Sequence, residues 1–146
     1  MNITIMSRNE IEKLIAQGFP SNTAVISFRD TDDNSVIEFK GLPKYLFELK
    51  IDDIYFEEFD EFGLNPSTYF PEAEKLAQFI KLVVTQNLDI ICQCEYGQSR
   101  SAACAAAILE VYEGNGISIF SDYRYYPNKY IYNKLFAKLK ESISDN

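Results

Sequence analysis

With 146 residues, 47% of them hydrophobic, the chain is long enough for one compact domain with a real core and too short for two. A formal net charge of -8 argues against a general binder of nucleic acid or of an anionic membrane surface, so any phosphate the chain handles must be captured locally. The absence of histidine removes at once the usual base of serine hydrolases, imidazole-bearing zinc sites and His-activated cysteine proteases.

Chemistry in this chain must therefore run on cysteine, carboxylates, lysine, tyrosine or arginine. The three cysteines, Cys92, Cys94 and Cys104, are odd in number and crowded together. That is a poor disulfide framework and fits a reducing compartment. No stretch reaches the roughly 20 apolar residues of a membrane span, and residues 1–10 lack the basic-then-apolar order of a signal peptide. The expectation is a cytoplasmic protein.

In chain order, Ser7-Arg8-Asn9-Glu10 has the form of a capping box, and Ile11, Leu14 and Ile15 follow at helical spacing, predicting a short helix up to Gly18. Residues 23–28, apolar and β-branched, read as a strand closed by a polar turn over 30–35. Residues 36–39 and 45–49 are further strand candidates, punctuated by Gly41 and Pro43. Residues 51–65 form an acidic, aromatic segment ending in Gly63 and Asn65-Pro66-Ser67, a loop signature.

Pro71 opens a broad apolar stripe (Ala73, Leu76, Ala77, Ile80, Leu82, Val83, Val84) that predicts a helix to about Gln86. Residues 88–93 read as a short buried strand. The alanine-rich stretch 101–112 predicts a helix able to pack closely on a sheet, ended by Gly114 and Gly116. Pro127-Asn128 starts a last helix whose buried face is Ile131, Leu135, Phe136 and Leu139, with fraying expected from Glu141. The alternation predicts one three-layer α/β domain over 1–146, a central mostly parallel sheet flanked by helices.

The informative segment is Ile90-Ile91-Cys92-Gln93-Cys94-Glu95-Tyr96-Gly97-Gln98-Ser99-Arg100-Ser101, a buried strand running through a Gly-containing turn directly into a helix. A turn placed there points backbone N–H groups inward at the positive end of a helix dipole, a cradle for a phosphate dianion. A cysteine at its start is surrounded by amide donors and a guanidinium, which favour thiolate over thiol. Arg100 can hold two phosphate oxygens in its planar fork, a geometry lysine does not offer. Ser101 can donate a hydrogen bond to the sulfur as it leaves a phosphoenzyme. Glu95, Tyr96, Gly97, Gln98, Ser99 and Arg100 make up the expected phosphate-binding loop. For Cys92 and Cys104 the plain reading is buried, small and apolar.

Cys94, five residues, Arg100 and Ser101 match the Cys-x5-Arg-Ser/Thr signature of the protein tyrosine phosphatase superfamily, and the segment most resembles its compact dual-specificity branch. Cys94-Glu95-Tyr96-Gly97-Gln98-Ser99-Arg100-Ser101 is similar to the Cys-Glu-Ala-Gly-x-Ser-Arg-Ser of small bacterial members and departs from it at Tyr96. The Pro127-Asn128 helix start is similar too. The resemblance implies a phosphomonoester hydrolase acting through a cysteinyl phosphate, without cofactor or metal. It also implies an aspartate on a loop upstream of the cysteine that protonates the leaving oxygen. Asp60 is the choice for that general acid, with Glu57, Glu58 and Glu61 as competitors. One departure stands out: the family usually carries histidine before the cysteine, where this chain has Gln93.

The loop side chains Glu95, Tyr96, Gln98 and Ser99 offer no extra cation, which disfavours inositol polyphosphates and favours phosphotyrosine or another singly phosphorylated group. The expected partner is a phosphoprotein or small phosphomonoester, handled by a monomer. The tyrosines of 112–132 could wall a pocket, although half-buried core positions are the commoner use of such residues. Two other classes compete: a phosphate-binding module that turns over poorly, and a sulfur-transfer or arsenate-reducing enzyme, for which Cys92 is the near candidate as resolving thiol.

Overall fold

The computed structural model describes residues 1–55 and 58–144. Its elements follow in the order β1 (Ile3–Met6), α1 (Arg8–Gln17), β2 (Thr23–Arg29), β3 (Tyr45–Lys50), α2 (Ala73–Thr85), β4 (Asp89–Gln93), α3 (Arg100–Glu113), α4 (Ile117–Phe120) and α5 (Lys129–Ser144). The four strands form one sheet in the order β1-β4-β2-β3, and every pairing is parallel. This is the three-layer α/β architecture that the alternation of elements predicts.

Parallel strands covered on both faces lose the alternation of polar and apolar residues. Accordingly Thr23, Ala24, Val25, Ile26, Ser27 and Phe28 of β2 are all buried. Ala24, Ile26, Phe28, Ile90 and Cys92 face the larger core, closed by Leu76, Ile80 and Val83 of α2, Ile108 of α3 and Ile131, Leu135 and Leu139 of α5. Ala102, Ala103, Ala105, Ala106 and Ala107 are wholly buried, so α3 lies in the interior of the layer. On the opposite face Val25 and Ile91 meet Ile11 of α1 together with Ile37 and Phe39.

Three features stand apart from the sequence reading. Residues 36–39 are not a strand: Ile37 and Phe39 are buried while Val36 is 61% exposed, so the alternation is present, but the segment turns back on itself through Phe39 N–H to Ile37 O and Leu42 N–H to Phe39 O. It serves as an apolar plug beneath the sheet. β1, which the sequence pattern does not predict, is a four-residue edge strand whose short run carries little periodicity. At the other end, where fraying is expected from Glu141, α5 is helical through Ser144, and Lys81 Nζ of α2 donates to Ser142 O at 2.7 Å.

Among the described residues no helix is long and apolar enough to cross a membrane. What matters for function is the common end of the sheet. Ser7, Asp30, Ile51 and Cys94 each follow within a residue of the C-terminal end of a strand, the rim where open parallel sheets hold their ligands.

Candidate active site

The loop after β4 is built by local chemistry. Cys94 N–H continues the β1–β4 ladder to Met6 O at 3.3 Å, and Arg8 N–H donates to Glu95 O at 3.1 Å, seating the loop on the β1–α1 junction. Gly97 has φ +67, and a Cβ there would lie 2.7 Å from Ser7 N and 2.9 Å from Met6 C. Both backbone conformation and space therefore require glycine. The loop's far side is tied to the approach to α5 by Tyr126 N–H to Gln98 O (2.8 Å) and Asn128 N–H to Ser99 O (3.3 Å). Among the described residues, none of the amides of 95–100 donates to a protein acceptor.

Cys94, 2% exposed, lies at the base of a cleft of about 250 Å³ together with Ser99, Arg100, Gln98, Tyr96, Tyr126, Tyr55 and Asp53. Its Sγ is 3.0 Å from Ser101 Oγ, which is wholly buried. Arg100 is buried, and its Nη1 donates to Asp30 Oδ1 and to Ile51 O, both at 2.7 Å. Its Nε is buried with no hydrogen-bond partner among the described residues. A guanidinium fixed on one side by a carboxylate and a carbonyl keeps the rest of its donors for an anion.

Gln93 occupies the position before the cysteine with both ends of its amide used: Oε1 accepts from Ser27 Oγ, and Nε2 donates to the carbonyl of Cys94 at 2.9 Å. Both Gln93 and Ser27 are buried. A neutral amide thus fixes the carbonyl at the start of the loop.

The expected loop residues converge, but Asp60 does not join them. The chain leaves β3 along the rim, passes Arg100 at Ile51 O and buries Ile54. It then turns through Glu58 N–H to Tyr55 O and sends Phe59 into the core against Tyr69 and Tyr130. Asp60 is exposed on the outside of that turn, where its carbonyl accepts from Gly63 N–H, and it does not line the cleft. Glu58 Oε1 accepts from Tyr55 N–H, Glu61 is exposed, and Glu57 falls outside the described residues.

The carboxylate in the cleft is Asp53, which sequence reasoning does not single out. Its Oδ1 accepts from Ser99 Oγ and from Asn128 Nδ2, each at 2.8 Å, while Oδ2 has the longer contact from Tyr55 OH at 3.4 Å. The signal that could have found it is position: Asp52-Asp53 lies between buried Ile51 and Ile54 just past β3, so the segment is anchored to the sheet's rim before it becomes a loop.

Asn128 joins these parts. Its Oδ1 caps α5 by accepting from Tyr130 N–H (3.1 Å) and Ile131 N–H (3.0 Å), and its Nδ2 reaches Asp53, Ile54 O (3.2 Å) and Tyr69 OH (3.3 Å). Burial holds the Tyr69 hydroxyl protonated well above its ordinary range, and that hydroxyl donates to Asp52 O. Asn128→Ala removes a helix cap and leaves buried acceptors unsatisfied, so it is expected to cost about 2–4 kcal/mol in urea unfolding. Exposed Asn65→Ala, which disturbs only a surface turn, should cost less than half of that.

Cys104 is wholly buried, and burial pushes its thiol up, helped by a hydrogen bond with Cys92. Both are free thiols in the core, so Cys92 is engaged with Cys104 and is no ready resolving thiol for the cleft.

No protein-family model matches the sequence, and no curated protein matches it significantly. Solved structures do match. Human DUSP28 superposes with a TM-score of 0.60 at 14% identity, covering 99% of this chain and 95% of that one. The Cydia pomonella PTP-2 phosphatase gives 0.61 at 15%, covering 94% and 85%. The human tyrosine phosphatase-like serine/threonine/tyrosine-interacting protein gives 0.57 at 19%, covering 96% and 87%. The chain has the fold seen in these dual-specificity and tyrosine phosphatase structures.

Proposed function

We propose that the protein is a cysteine-dependent phosphomonoester hydrolase acting on phosphotyrosine or a comparable aryl phosphate. The observation that carries this reading is the buried Arg100 in one small cleft with Cys94, its Nε and the amides of the adjoining loop having no hydrogen-bond partner among the described residues. A cradle of that kind suits a tetrahedral dianion at the N-terminus of a 14-residue helix.

Cys94 Sγ attacks phosphorus, the P–O bond breaks, and the departing oxygen takes a proton from Asp53 Oδ2. Water, giving its proton to the same carboxylate, then attacks phosphorus and breaks the P–S bond. The sulfur leaves as a thiolate that accepts the hydrogen bond from Ser101. The nucleophile is buried beneath Tyr55, Tyr96 and Tyr126, which are 45%, 78% and 66% exposed at the rim. A flat, long phosphotyrosyl side chain reaches the base of such a cleft better than phosphoserine.

Hydrolysis of para-nitrophenyl phosphate that persists in EDTA, and that vanadate inhibits competitively in buffer free of EDTA, is the test. Turnover that stops with metal removal sinks the reading. A non-hydrolysing phosphate-binding module is the alternative favoured by Gln93 in place of the usual histidine, and one neighbour is itself named an interacting protein. Vanadate binding without turnover would select it.

A further inference from the structure

We propose that a second cavity beside the cleft selects the substrate, by taking an apolar side chain that neighbours the phosphotyrosine of a peptide; this rests on the phosphatase reading above. The cavity holds about 510 Å³ and is lined by Phe120, Tyr125, Pro127 and Tyr130, with Lys129 in its wall. Its remaining walls are Tyr55 and Tyr126, the same two residues that wall the cleft over Cys94. The two spaces are therefore neighbours that share two exposed rings as walls. A group bound in one is within one residue's reach of the other.

Size and chemistry decide the occupant. The volume lies in the range of sites that enclose a drug-sized group, larger than a phosphotyrosine ring needs when its phosphate already fills the cleft. The lining is aromatic, and two of its rings are fixed from behind: Tyr130 packs edge-on against Phe59 at 4.7 Å, and Phe120 edge-on against Tyr132 at 4.8 Å. Preformed rings of this kind lose little freedom on binding an aromatic or branched aliphatic side chain. Lys129 bonds to none of the described carboxylates, and in a chain of net charge -8 it supplies a local cation where a peptide carbonyl or carboxylate leaves the cavity. The tyrosines of this segment thus divide: Tyr132 stacks with Phe136 beside the core, whereas Tyr125, Tyr126 and Tyr130 form a working surface.

The experiment compares kcat/KM for para-nitrophenyl phosphate and for two phosphotyrosyl peptides. One carries alanine on both sides of the phosphotyrosine and the other carries phenylalanine there. The Phe-flanked peptide is expected to be favoured by about 10-fold or more, mainly through KM, as one apolar side chain in a fitted pocket provides. Phe120→Ala should bring that ratio to within about 3-fold of unity while leaving para-nitrophenyl phosphate turnover unchanged. Lys129→Trp, placed at the exposed first residue of α5, should fill the cavity and do the same should Phe120→Ala fail to fold. Equal kcat/KM for the two peptides, or a preference surviving in the soluble variant, overturns the inference. If neither peptide nor para-nitrophenyl phosphate is hydrolysed, the phosphatase reading fails first. Binding of the two peptides to Cys94→Ser then tests the cavity by itself: tighter binding of the Phe-flanked peptide supports it, and equal affinities overturn it.

Discussion

Cys94→Ser is expected to lose para-nitrophenyl phosphate hydrolysis by about 10⁴-fold or more while still binding vanadate, and Arg100→Lys to lose both. The two residues do separable work. The serine hydroxyl is a poor nucleophile without an adjacent base, and the chain has no histidine to serve as one. Yet it leaves the loop amides and the guanidinium where they were. Lysine at position 100 keeps one positive charge but cannot hold Asp30 Oδ1 and Ile51 O on one side while presenting further coplanar donors to an oxyanion on the other. It would also leave the Ile51 carbonyl without its guanidinium donor. Loss of a preorganised oxyanion donor alone costs about 10²–10³-fold in turnover, and the loss of the fork should add weaker vanadate affinity. Vanadate affinity unchanged in Arg100→Lys, measured by calorimetry, would remove Arg100 from the cradle. Turnover surviving in Cys94→Ser would remove the cysteinyl phosphate from the mechanism.

How much of this the sequence made legible follows from how local each feature is. The candidate loop is contiguous: β4, the turn at Gly97 and the start of α3 are read from a dozen neighbouring residues, and each is where the pattern puts it. The capping box of α1 is equally local, and both of its reciprocal hydrogen bonds are present. Features that depend on tertiary pairing were harder. The alternation at 36–39 is real burial without a partner strand, and β1 pairs with β4, a strand far from it in sequence. Asn128 could be read as a helix start, but its second function, joining α5 to Asp53, depends on residues far away in sequence.

The candidate acid is the sharpest case. Asp52, Asp53, Glu58, Asp60 and Glu61 share one stretch of similar composition, and no local pattern distinguishes them. What separates them is the rim of the sheet, since Asp53 lies just beyond β3 and is gripped by Ser99 of the loop and Asn128 of α5, while Asp60 is past the turn and exposed.

Asp53→Asn should therefore lower kcat/KM for phenyl phosphate by about 10²-fold or more, the usual range for a lost general acid, and for para-nitrophenyl phosphate by less than about 10-fold. The contrast arises because kcat/KM reports steps through P–O cleavage: a phenolate departs poorly without a proton, whereas para-nitrophenolate is stable on its own. Asparagine keeps an oxygen at Oδ1 for Ser99 and Asn128, so thermal unfolding should move little and the loss can be assigned to the missing proton. Its amide cannot protonate a leaving group at Oδ2. Asp60→Asn should stay within about 3-fold of wild type for both esters, because its carboxylate is outside the cleft. The reverse pattern, with Asp60→Asn selective for the poor leaving group and Asp53→Asn neutral, would mean that the turn at Asp60 closes over the cleft on binding substrate and carries its carboxylate in. An equal loss for both esters in Asp53→Asn would instead make Asp53 a positioning residue that holds Ser99 and the loop in register.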